Sequence, residues 1–161
     1  MSSDTNSLRL PAIDPLDVEP KIGTNYPDVF QGPHDTREKY AVGDALSLTN
    51  FGVNITRIPP NQETALRHWH TKSDEFVYVL EGELVLITDE REQTLTPGMA
   101  AGFKAGSANG HKLINRTDKD ALYLEVGDRP TDDEVYYPGS DLWGQSVNGQ
   151  RVFTKLDGTP Y

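Results

Sequence analysis

Between Gly43 and Asp128 the chain is cut by turn-forming residues into runs too short for ordinary helices. The breaks fall at Pro59-Pro60-Asn61, Glu81-Gly82, Asp89-Glu90 and Pro97-Gly98. Val53, Ile55 and Arg57 alternate with Asn54, Thr56 and Ile58 before the first of them. Leu66 to His70, Phe76 to Leu80, Leu84 to Thr88, Gln93 to Leu95, Phe103, His111 to Asn115 and Ala121 to Val126 follow as strand segments. Many short strands with turn signals at regular intervals specify an all-β sandwich or barrel. No stretch of eleven or more residues places its apolar residues at clean helical spacing. The apolar content is concentrated in the middle, where nine of the thirteen residues from Glu75 to Ile87 are large and apolar.

The flanks read differently. Residues 1–42 hold five of the eleven prolines (Pro11, Pro15, Pro20, Pro27 and Pro33) without sustained periodicity. They are expected to form an extended arm, with a strand around Asp28 to Phe30 and with His34 as a solvated loop residue. Residues 43–128 form the barrel. Residues 129–161 return to loop composition and form a second arm packing on the barrel, with a hairpin from Val147 to Phe153 around Asn148-Gly149.

Composition removes several function classes. With 15 Lys and Arg against 25 Asp and Glu, the formal charge is −10, which argues against nucleic acid or an anionic membrane surface as partner. The absence of cysteine excludes disulfides, a thiolate zinc site and a Cys nucleophile. No apolar run of about 18 residues exists to span a membrane. The first twenty residues lack a basic start followed by an apolar stretch, so a signal peptide is not expected and the cytoplasm is the expected location.

Three of the four histidines fall in one pattern. His68 and His70 are one residue apart, so on a strand both project from the same face. Glu75 opens the next strand and His111 opens a later one. These four side chains can converge on one ion inside a barrel, and imidazole with carboxylate suits Zn, Fe, Mn, Ni or Cu in preference to Ca or Mg.

The run His68-x-His70-x4-Glu75-x6-Gly82 resembles the first motif of the cupin superfamily. The family usually starts that motif with a glycine six positions before the first histidine. Here Gln62 stands at that position, and the preceding Asn61 is expected to supply the positive φ of the turn. Gly98-x5-Lys104-x-Gly106-x4-His111-x3-Asn115 resembles the second motif, with Lys104 where proline is usual and two extra residues before His111. The resemblance covers about residues 43–128. The flanks, including Tyr136-Tyr137-Pro138-Gly139, resemble a subgroup of small single-domain cupins of mostly unassigned function, some labelled sugar-phosphate isomerase by analogy. The resemblance implies a double-stranded β-helix, or jelly roll. It also implies one divalent transition metal ion (Zn, Fe, Mn or Ni) on His68, His70, Glu75 and His111, with positions left for water, O₂ or substrate.

Alternation then sketches the pocket. If Glu75 points inward, so do Val77 and Val79, while Phe76, Tyr78 and Leu80 face outward. If His111 points inward, so do Leu113 and Asn115. Of Tyr123 and Glu125 on the last core strand, one must face inward, and Tyr123 is expected to fill the barrel beside the ligand. The only cations that could face inward are Arg57 and Lys104. Small keto, hydroxy or monocarboxylate compounds are therefore expected to bind better than sugar phosphates, which need a fixed cationic fork. The outer apolar face at Trp69, Phe76 and Tyr78 needs cover, and a homodimer would supply it. Three functions fit: a metal-dependent isomerase, lyase or hydrolase acting on such a small molecule, an Fe or Mn dioxygenase, and a non-enzymatic ligand-binding or sensing module.

Overall fold

The computed structural model describes residues 10–161. In chain order the elements are β1 (Lys21–Ile22), β2 (Glu38–Tyr40), α1 (Val42–Ala45), β3 (Phe51–Ile58), β4 (Trp69–His70), β5 (Glu75–Glu81), β6 (Leu84–Thr88), β7 (Glu92–Leu95), β8 (Ala100–Phe103), β9 (His111–Ile114), β10 (Ala121–Asp128), β11 (Glu134–Tyr136), β12 (Trp143–Val147) and β13 (Gln150–Thr154). The strands pair antiparallel in three sheets, ordered β1-β2-β3-β10-β5-β8, β7-β6-β9 and β13-β12-β11-β4. The first two face each other as a jelly roll. Their inward residues Ile58, Val77, Val79, Leu84, Leu86, Leu95, Leu113, Ala121 and Tyr123 form the main core. Burial along β5 shows the alternation directly, with Val77 and Val79 buried and Phe76, Tyr78 and Leu80 exposed.

Turn chemistry holds the strands in register. Gly82 has φ of 74°, and a Cβ there would lie 2.7 Å from the Asp120 carbonyl oxygen, so β5 can turn into β6 only through glycine. Asn61 has φ of 62° and takes the left-handed position that the motif usually gives to glycine one residue later. Asn148 and Gly149 both have positive φ, which is the requirement of the tight turn joining β12 to β13.

From residue 10 onward both flanks are built into the fold. β1 and β2 extend the larger barrel sheet, β2 pairing with β3 from Glu38↔Arg57 to Tyr40↔Ile55. Asp28–Phe30 is a 3₁₀ turn and not the expected strand; the strands on either side of it are β1 and β2. His34 is not solvated. It is 1% exposed, lies edge-on to Tyr26 at 5.8 Å between ring centroids, and has both ring nitrogens buried without a partner. The 3₁₀ turns of the Gly- and Pro-rich segment fold it inward, a path that periodicity does not report. Tyr26 joins Val135, Tyr137 and Leu142 in a second cluster beneath the third sheet.

Candidate metal centre

The anticipated strand from Leu66 to His70 is shorter than expected because its backbone changes partner midway. His68 bridges to His111, with N···O distances of 3.1 and 2.9 Å in the two directions. His70 then pairs with Val135 of β11. The bridge sets His68 and His111 side by side, with ring centroids 4.7 Å apart. The period of two keeps His70 beside His68, at 5.2 Å. Glu75 meets all three imidazoles. Its Oε2 is 2.7 Å from His111 Nε2 and 3.6 Å from His68 Nε2, and its Oε1 is 3.4 Å from His70 Nε2. The two extra residues before His111 are absorbed in an anchored loop, where Gly106 N donates to the His70 carbonyl and Gly110 N to Asp89, both at 2.8 Å.

This donor set fits a bound cation. Glu75 Oε2 is buried without a hydrogen-bond partner. His68 Nδ1 lies 2.7 Å from the Leu66 carbonyl, and His70 Nδ1 lies 2.6 Å from Asp133 Oδ2. Both partners only accept, so each Nδ1 carries a proton and each Nε2 is the atom left to ligate. His111 stacks flat on Phe103 with centroids 3.5 Å apart, which fixes its ring plane. One ligand atom from each of His68, His70 and Glu75 lies within 4.8 Å of the others, and three imidazoles with a carboxylate suit zinc, iron, manganese or nickel.

Asp133 is the orienting residue that no motif announces. It is buried and lies 63 positions from His70, in the second flank, where it also accepts from the Lys72 and Ser73 backbone N–H groups and from Arg151. Burial disfavours charge on His70, but the hydrogen bonds to Asp133 and then Glu75 outweigh it and push the pKa up to about 9. Burial lowers that of His111. Burial would raise the Glu75 carboxyl, yet the three imidazoles that face it hold it well below the ordinary carboxylate range.

The cluster opens into a cavity of about 370 Å³. Val77, Leu113 and Tyr123 line it, whereas Val79 and Asn115 do not. Val79 is 1% exposed within the core. Asn115 is fully buried and spends its amide on the turn, donating to the Ile58 and Lys119 carbonyls and accepting from Thr117. Tyr123 and Glu125 both line the cavity, correcting the choice of one, because residues two apart on a strand share a face.

The wall is about as polar as it is apolar. Arg37, Lys39, Arg129 and Arg151 line it, all from outside the span where alternation was legible. Lys39 pairs with Glu125, Arg129 with Asp44 and Arg151 with Asp133. Arg37 makes no ion pair among the described residues and donates only to the Gly23 and Thr64 carbonyls. Arg57 pairs with Glu38 and does not line the cavity, while Lys104 borders a smaller cavity of about 210 Å³ that shares His70, Glu75 and His111.

Fold and site together define a jelly-roll protein whose cavity carries a His68-His70-Glu75 group that could hold a metal, with His111 beside it. Residues 54–127 match the family model described as a cupin domain. A crystal structure of a cupin-superfamily sugar phosphate isomerase from Silicibacter pomeroyi is 40% identical, with TM-score 0.89, covering 94% of this chain and 96% of that one. The chain belongs to the cupin superfamily. The polyketide cyclase RemF from Streptomyces resistomycificus shares the fold at 19% identity, covering 74% of this chain and 80% of its own, with TM-score 0.62. No curated protein sequence matches the chain significantly.

Proposed function

We propose that this cupin is a metal-dependent enzyme of isomerase type, acting on a small hydroxy-carbonyl compound that carries an anionic group, such as a sugar phosphate. One observation carries the reading: the imidazole–carboxylate cluster shares its cavity with Arg37, a guanidinium with no carboxylate partner among the described residues. A planar, always-charged fork of this kind suits phosphate or carboxylate. The expectation that sugar phosphates bind poorly rested on a wall without cations. Four cationic side chains on that wall remove its basis, and the 40% identical neighbour bears the sugar phosphate isomerase name.

A metal held by His68, His70, Glu75 and His111 would act as a Lewis acid on a ligand carbonyl or hydroxyl oxygen. Arg37 anchors the anionic end of the same molecule, and Val77 and Leu113 exclude water from its carbon chain. The test is solvent exchange. Metal-loaded protein is incubated in D₂O with a panel of aldose and ketose phosphates, and deuterium at the carbon next to the carbonyl is followed by NMR. Incorporation accompanied by isomerised product is expected. Binding across the panel with neither exchange nor turnover would leave a ligand-binding role and sink the enzymatic one.

We also infer that two copies associate through the outward face of β5. Phe76, Tyr78 and Leu80 are exposed there beside Met99, and among the described residues β8 is the last strand of the sheet.

A further inference from the structure

Four polar side chains on the inner face of the larger sheet are joined to one another beside the metal cluster, and none of them is a candidate ligand. Glu125 of β10 accepts from Lys39 Nζ of β2 at 2.5 Å and from Asn54 Nδ2 of β3 at 2.9 Å, both on Oε1. Its Oε2 accepts from the Tyr123 hydroxyl at 2.9 Å. All four line the cavity that the metal cluster opens into.

We propose that Lys39, Asn54, Tyr123 and Glu125 form a subsite for the hydroxyl groups of the ligand, a proposal that rests on the cavity being a metal-centred substrate site. Register fixes where it stands. Glu125 lies opposite Val77, and Gly127 lies opposite Glu75. Glu125 is therefore one pleat, about 7 Å, along the sheet from the level of the metal-facing carboxylate. Level with Glu75 on the neighbouring strand stands Gly127, which puts no side chain beside that carboxylate.

Hydrogen-bond capacity decides what the subsite can take. A carboxylate offers about four acceptor positions; the three bonds above leave one on Oε2, and the Glu125 side chain keeps 24% exposure. Lys39 is 29% exposed and uses one of its three donors on Glu125. A ligand hydroxyl both donates and accepts, so an adjacent carboxylate and ammonium satisfy it where a methylene would leave both stranded. The arrangement is poorly explained as a stabiliser, because a partly exposed ion pair adds little to stability.

The test compares two phosphates of equal charge and chain length, ribitol 5-phosphate and n-pentyl phosphate, by calorimetry on zinc-loaded protein. Neither has a carbonyl, so neither turns over. The wild type is expected to bind the polyol at least about tenfold more tightly. Glu125→Gln and Lys39→Met are each expected to erase about tenfold of polyol affinity, while pentyl phosphate affinity stays within about twofold and zinc content is unchanged. The double variant removes both charges together and serves if a single variant does not fold. Equal binding of the two phosphates by the wild type overturns the subsite but leaves the metal-centred reading standing. So do variants that lose both phosphates in parallel. Binding of neither phosphate overturns both.

Discussion

His70 is held between two carboxylates, Asp133 on Nδ1 and Glu75 near Nε2, and this makes metal uptake a proton exchange. With the pKa of the metal-free imidazole up to about 9, ligation at neutral pH must displace a proton, so metal affinity should rise about tenfold per pH unit towards pH 9 and then level off. The stability of the metal-free protein runs the other way. The raised pKa contributes fully below the unfolded value of 6.5 and is lost as pH rises through about 9. A competition titration between pH 7 and 9.5 reads the first effect, and a flat profile would show that metal uptake displaces no proton from His70 in that range. Asp133→Asn should cost about 10- to 100-fold in metal affinity and flatten the profile, since it removes the charge that holds the proton and orients the ring. Backbone demands are equally local. Gly82→Ala, with its Cβ 2.7 Å from the Asp120 carbonyl oxygen at φ of 74°, should destabilise by about 3 kcal/mol. Asn61→Gly, at φ of 62°, should be close to neutral. Denaturant unfolding measures both, and equal losses at the two positions would contradict the turn assignments.

At the scale of elements, legibility follows how much of an element's identity is local. β6 runs from Leu84 to Thr88 as its continuous apolar run indicates, and β5 alternates as read, because the inner face of each packs into the same core. The segment before β4 was harder, since His68 and His70 keep a common face while bonding to different sheets. Tyr123 and Glu125 were within reach of the period of two. Asp133, Arg37 and Lys39 were not, because their places in the cavity depend on flanks docking from 30 or more residues away, and a Pro-rich segment carries no periodicity that reports its path. The first flank therefore divides into parts with different consequences. Ile13 and Val18 pack against the Tyr40, Val42 and Ile55 cluster, so a chain starting at Lys21 should melt somewhat lower yet keep its full metal content by elemental analysis. A chain starting at Ala41 loses β2 with Arg37 and Lys39, and should lose anionic ligands in calorimetry even when metal is retained. Loss of metal from the shorter truncation while the fold persists would mean that the first 20 residues contribute to the site.

For the molecule as a whole, the flanks cover the outer apolar surface unevenly. The first packs over Ile55, Leu122 and Leu124 on β3 and β10. The second covers Trp69, which stacks on Tyr136 with centroids 5.0 Å apart. Among the described residues neither reaches the outward row of β5, where Phe76, Tyr78 and Leu80 are 42%, 37% and 39% exposed beside Met99 at 43%. A second copy docked there would bury this row and pair the edge of β8, and its association would be opposed by the formal charge of −10 on each chain. Dimerisation should therefore strengthen with salt, because screening weakens the long-range repulsion while the apolar contact is left intact. Tyr78→Glu with Leu80→Glu should give a monomer that keeps its metal, since both side chains face away from the cluster. Sedimentation velocity across protein and salt concentration decides the matter. A wild type that sediments as a 17.9 kDa monomer throughout would leave this face without a partner of its own kind.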